Sequence, residues 1–83
     1  MADLELELYF YPECGFSKSV LNTIQNLSVA DRITMKDIRL NLEYEKELIV
    51  LCGDPTVPTL KVNGEVLREA EAIKRFLVDQ FLD

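Results

Sequence analysis

Leu4-Glu5-Leu6-Glu7-Leu8-Tyr9-Phe10-Tyr11-Pro12-Glu13-Cys14-Gly15-Phe16-Ser17 decides how this chain is read. Its first half alternates. Leu4, Leu6, Leu8 and Phe10 fall on one side and Glu5, Glu7, Tyr9 and Tyr11 on the other, the period-two pattern of a strand with one apolar face. The glutamates predict that the second face is only partly covered where the strand begins. Past Cys14 the period changes. Phe16, Val20, Ile24 and Leu27, with Leu21 beside them, recur at helical spacing and predict a first helix over residues 15–28. Cys14 therefore lies between a strand end and a helix start, where backbone N–H groups point outward and favour negative charge. That setting stabilises a thiolate, the reactive form of cysteine. The plain alternative is a small buried side chain with no chemistry.

Working outward, Ser28 to Asp31 reads as a polar connection and Ile33 to Ile38 as a short second strand. Asn41 suits the N-cap of a second helix, with Glu43 and Glu45 favourable to its dipole in the first turns. Leu48, Ile49 and Leu51 give that helix an apolar side, and Gly53 suits a left-handed stop. Leu60, Val62 and Val66 flank Asn63-Gly64, a strong hairpin signal. Glu69 to Phe81 closes the chain as a helix with Ala70, Ile73, Phe76 and Leu77 on one face. The order is β-α-β-α-β-β-α. Two strands joined through a helix are expected to be parallel, and the whole implies an α/β mixed four-stranded sheet with helices on both faces.

The totals narrow the function. With 83 residues the expectation is one small domain, spanning 1–83. Fifteen acids against nine bases leave a net charge of −6, which makes nucleic acid and anionic membranes poor partners. Histidine is absent. The usual general base, the Cys/His protease pairing and most zinc sites go with it. Two cysteines cannot build the disulfide framework of a small secreted scaffold. The start Met1-Ala2-Asp3 has no basic region or apolar core of a signal peptide, and no apolar run approaches the roughly 20 residues that span a bilayer. The expected setting is a reducing cytoplasm.

Cys14-Gly15-Phe16-Ser17 and Thr56-Val57-Pro58, in this order of elements, resemble the glutaredoxin family over about residues 4–82. The four-residue motif matches the monothiol form, and Asn63-Gly64 falls at the family's hairpin. The resemblance implies the thioredoxin fold, a cis Val57-Pro58 bond beside the active cysteine, and glutathione as co-substrate. Cys14 is then the catalytic thiol. Tyr11, Thr56, Val57, Pro58, Glu69 and Ala70 are the implied glutathione contacts, with the backbone of Val57 pairing as an added strand would. The chain also departs from the family. It has no lysine ahead of the cysteine and no Trp-Pro-Thr segment, both usual in cluster-binding monothiol members. The approach Tyr11-Pro12-Glu13-Cys14 is closer to dithiol glutaredoxins and to glutathione transferase N-terminal domains. Glu69-Ala70 stands where those transferases carry Glu-Ser, so a hydroxyl toward the γ-glutamyl end is missing. Backbone N–H groups of Ala70 and Glu71 remain able to hold a carboxylate, with Glu69 and Glu71 partly opposing it.

At the cysteine, Lys18 lies one turn along the predicted helix and can add a favourable charge; its plain alternative is a solvated surface lysine. Glu13 works against activation. A thiol pKa in the broad range of roughly 3.5–7.5 is expected for such a site. Ser17 replaces a second cysteine, so Cys14 cannot close a disulfide there; Ser17 reads as a plain first-turn helix residue, with a hydrogen bond from its hydroxyl to the sulfur as the alternative. Cys52 reads either as a resolving thiol or as a half-buried small side chain. Three functions stay open. One is reduction of glutathione mixed disulfides in proteins by a monomer. Another is a two-iron two-sulfur cluster held by Cys14 and glutathione between two copies. The third is a fold kept for protein contact alone.

Overall fold

A computed structural model describes residues 4–82. The elements are β1 (Leu6–Phe10), α1 (Gly15–Leu27), a 3₁₀ turn (Ala30–Arg32), β2 (Thr34–Asp37), α2 (Leu42–Cys52), β3 (Thr59–Val62), β4 (Glu65–Arg68) and α3 (Ala70–Phe81). The sheet order is β2-β1-β3-β4. β1 and β2 are parallel, with Phe10 opposite Asp37 at the last rung. β3 runs antiparallel to both β1 and β4, with Leu8 opposite Leu60 and Leu60 opposite Leu67. This is the thioredoxin-like arrangement.

The period-two pattern of β1 sorts its side chains onto two faces. Leu6, Leu8 and Phe10 join Val20 and Ile24 of α1, Leu60 of β3, and Ala70, Ile73 and Leu77 of α3 in one apolar cluster. Tyr9 faces the other way, packing with Ile38 and with Leu48 of α2. That second cluster is small, and charged groups extend it. Lys36 bridges Glu7 (2.5 Å) and Glu47 (2.7 Å), and the Tyr9 hydroxyl donates to Glu47 at 2.9 Å. Burial and that bond to Glu47 push the Tyr9 hydroxyl up to about 12.

Local signals end the elements as their chemistry dictates. Asn41 caps α2 by accepting from the Glu43 N–H at 2.9 Å. Asn63 and Gly64 take positive φ (50° and 91°), the geometry of a tight hairpin turn. Four features differ from the expectation. Ser28, at φ 58°, ends α1 one residue early. The connection after it holds the 3₁₀ turn and the buried Val29, which anchors it to the core. Ile49 lies 41% exposed, because α2 packs on the sheet through the stripe Tyr44, Leu48, Leu51 and Cys52, of which Leu48 alone is fully buried, and Ile49 falls beside that stripe. Glu69 lies outside α3, at φ 75° and ψ 127°, and its carbonyl accepts the first helical bond from Ile73 N–H at 3.1 Å.

Candidate active site

β1 ends at Phe10, and a turn closed by Cys14 N–H to Tyr11 C=O (3.2 Å) delivers the cysteine to the N-cap of α1. Cys14 has extended backbone (φ −79°, ψ 124°) and its carbonyl accepts the first helical bond from Lys18 N–H at 2.8 Å. The side chain is half-buried and unoxidised. Burial pushes the thiol up. The Ser17 N–H, the Ser17 hydroxyl, the Phe16 N–H and the Arg39 charge together outweigh it, so the thiol titrates below its ordinary value.

Ser17 is fully buried, and its Oγ has no hydrogen-bond partner at good geometry among the described residues. A buried hydroxyl without a partner is unfavourable. Ionisation of Cys14 supplies the missing acceptor, since a thiolate accepts far better than a neutral thiol. One side chain thus explains both an unsatisfied atom and a more acidic sulfur.

A cleft of about 570 Å³ opens beside the start of α1. Its walls are Phe16, Thr56, Val57, Pro58, Arg68, Glu69, Ala70 and Glu71. Phe16, 71% exposed, joins the cysteine turn to this cleft. The structure therefore brings Thr56, Val57, Pro58, Glu69 and Ala70 together, from the loop before β3 and the start of α3. The Val57-Pro58 bond is cis. The N–H and C=O of Val57, a residue of the cleft wall, enter no hydrogen bond among the described residues. Cys14, Tyr11, Gly15, Ser17 and Lys18 are not among the cleft walls.

Two arginines that local spacing could not reveal shape the site. Arg68 of β4 donates to Asp54 (2.5 and 3.3 Å), to Thr56 C=O (3.1 Å) and to Thr59 Oγ (3.2 Å). Asp54 also accepts from Thr56 N–H at 3.0 Å. The Arg68 guanidinium, with help from Thr56, holds the Asp54 carboxyl well below the usual carboxylate range. This clamp fixes the loop that carries Val57 and Pro58. Arg39 comes from the loop after β2, stacks on Tyr11 with 3.7 Å to the ring centroid, and meets Glu13 at 3.4 Å. Arg39 is thereby placed at the cysteine turn, where its charge adds the smallest of the effects that lower the thiol. Lys18, which the sequence offers either as a charge for the thiol or as a solvated surface lysine, is exposed and forms no ion pair among the described residues.

Cys52 ends α2 and is half-buried against the Tyr9, Ile38 and Leu48 cluster. A second hollow of about 480 Å³ lies below α2, lined by Tyr9, Glu43, Lys46, Glu47, Val50, Leu51 and Lys61. Its charged side chains are already paired with neighbours, and none of the residues of the Cys14 turn lines it. The cleft beside α1 is the one that Phe16 joins to the cysteine turn.

The family model described as Glutaredoxin matches residues 6–67. The chain belongs to the glutaredoxin family. Solved structures place its frame beside glutathione transferases. One is the unclassified transferase 2 of Bombyx mori, at TM-score 0.76 and 26% identity over 93% of this chain and 36% of that one. Another is a delta-class transferase of Nilaparvata lugens, at 0.70 and 32% over 92% and 36%. A transferase homologue from Drosophila mojavensis, solved with bound glutathione, matches at 0.76 and 20% over 94% and 36%. The chain spans little more than a third of those transferases' length. A search of curated protein sequences gives no match. Family and fold tie this glutaredoxin domain to glutathione-related redox chemistry.

The donor set also bears on the cluster reading. No three of His, Cys, Asp and Glu converge among the described residues. Cys14 is the single thiol at the cysteine turn, and a two-iron two-sulfur cluster takes four ligands. The described residues of one chain therefore offer one such ligand, and glutathione and a second copy would have to supply the other three.

Proposed function

We propose that the protein is a monothiol, glutathione-dependent thiol–disulfide oxidoreductase that reduces glutathione mixed disulfides through Cys14. The observation that carries this reading is the Cys14 sulfur itself: half-exposed at a helix N-terminus, more acidic than a free thiol, and next to a cleft that presents the unpaired backbone of Val57. The transferase homologue with bound glutathione supports the choice of ligand.

In the first step the Cys14 thiolate attacks the glutathione sulfur of a mixed disulfide. The substrate S–S bond breaks, its sulfur leaves as a thiolate and takes a proton from water, and a Cys14–glutathione disulfide remains. Ser17 has no thiol to displace the adduct. A second glutathione thiolate therefore attacks it, releasing glutathione disulfide and restoring Cys14. In oxidation-state terms the substrate sulfur gains one electron and the second glutathione sulfur loses one, while the first glutathione sulfur stays at the disulfide level throughout. The Val57 N–H and C=O offer the bound peptide a strand-like edge, and the donors at Ser17 and Phe16 stabilise charge on the sulfur.

The test is a glutathione-coupled reduction of a mixed disulfide, with mass spectrometry of the trapped adduct. One glutathione on Cys14, turnover lost in Cys14→Ser and kept in Cys52→Ser, is the expected result. A protein that forms neither adduct nor product sinks the reading and leaves a fold kept for protein contact. A brown dimer assembled with iron, sulfide and glutathione would instead favour cluster carriage.

A further inference from the structure

Arg39 is seated at the cysteine turn by backbone pairing. At the last rung of the parallel ladder Phe10 lies opposite Asp37, and Ile38 N–H donates to Phe10 C=O at 2.9 Å. The two segments then leave the sheet side by side. Asp37 holds the second of them by accepting from the N–H groups of Arg39 (2.9 Å) and Leu40 (3.2 Å). The guanidinium lies on the half-buried Tyr11 ring at 3.7 Å. A planar, weakly hydrated cation rests well on such a face.

Its ion pair is loose by comparison. Arg39 and Glu13 are 57% and 66% exposed, and their contact is 3.4 Å long. Solvent screens a pair of that kind. Arg39 thus has a fixed seat and an incompletely neutralised charge. The chain around it carries a net −6, which repels anions at long range. A seated cation at the thiol turn offsets that repulsion locally.

We propose that Arg39 is a specificity-determining residue, whose guanidinium over Tyr11 draws carboxylate-bearing thiols and disulfides to Cys14 and disfavours cationic ones. This deepens the proposed function and rests on its reading of Cys14 as the exchanging thiol. Both exchange steps bring in a glutathione moiety, which has two carboxylates and one ammonium group. Both spread a negative charge over the reacting sulfurs, so the same cation favours the approach and the transition state.

The experiment compares reagents of different charge on the intact protein. Cys14 is alkylated with iodoacetate and with iodoacetamide, and exchanged with glutathione disulfide and with cystamine, in a Cys52→Ser background. The ratio of anionic to neutral or cationic rates cancels any change in thiolate fraction, because all reagents meet the same thiolate. Arg39→Gln is expected to lower that ratio about fivefold, the effect of one nearby charge in water, and Arg39→Glu to lower it further. Glu13→Gln removes the counter-charge without touching Arg39 and is expected to raise the ratio. Added salt is expected to shrink all these differences. A ratio unmoved in both Arg39→Gln and Glu13→Gln, in a protein that still forms the glutathione adduct, overturns the specificity role and leaves the proposed function standing. An Arg39-dependent ratio in a protein that never forms the adduct overturns the proposed function alone.

Discussion

Arg68 and Arg39 serve the same site in opposite ways. Arg68, at 30% side-chain exposure, spends its guanidinium on Asp54, Thr56 and Thr59. Arg39, at 57%, keeps one stack and one long ion pair. The first is bound on nearly every side and acts as structure, holding a loop whose Val57 backbone faces the cleft. The second is bound on one side and acts through its field. The number of partners separates the roles. A cation saturated by fixed acceptors has little charge left for a ligand, while a cation resting on an aromatic face keeps it.

The contrast can be broken at several points. The largest effect belongs to the Cys14 sulfur. Cys14→Ser is expected to abolish glutathione adduct and turnover while leaving the melting temperature within a few degrees, read by coupled assay and calorimetry. Arg68→Ala comes next. Losing its bonds to the Thr56 carbonyl and the buried Thr59 hydroxyl is expected to cost about 1–3 kcal/mol. In a domain of this size that lowers the melting temperature by roughly 4–8 °C per kcal/mol. KM for the mixed disulfide should rise with it, because the loop carrying Val57 loosens. Asp54→Asn should move both quantities the same way by less. An Arg68→Ala protein with unchanged melting and KM would show that the clamp is idle.

Ser17→Ala sharpens the comparison from the other side of the thiol. Its hydroxyl has no partner until Cys14 ionises, so stability at low pH should hold or rise slightly. The Cys14 pKa should move up, carrying the pH profile of alkylation with it. The sign follows from linkage. A thiol more acidic in the folded than in the unfolded state contributes stability that is full above the ordinary thiol pKa. It fades as pH falls through the folded pKa. Ser17→Ala should shrink that contribution, seen as a flatter dependence of urea midpoint on pH across the same window. The smallest stability effect is that of Arg39→Gln, expected within about 0.5 kcal/mol of wild type as for an exposed side chain. A larger loss would place Arg39 with Arg68 as structure.

Much of this was legible along the chain because the deciding signals are short-range. The change from period two to helical spacing across Cys14 placed the cysteine at a helix start. Asn41, Gly53 and Asn63-Gly64 act within one turn of backbone, and each ended or began an element where it stands. Glu69 and Ile49 escaped for the complementary reason. Glu69 lies at positive φ, a conformation its side chain does not ask for, and the burial of Ile49 depends on how wide a face of α2 the sheet covers.

What the sequence determined by itself is the reactive group and its frame: a thiol at the N-terminus of a helix, a Val-Pro turn, and the order of elements that closes them into one sheet. Tertiary structure alone decided which cations stand at the cysteine turn and at the cleft beside it. Arg39 arrives through the parallel pairing of β1 with β2, and Arg68 through the hairpin that carries it back to the Asp54–Thr59 loop. Neither has a fixed spacing from Cys14 to read, because the lengths of the intervening helix and turns can vary while the sheet sets the contact.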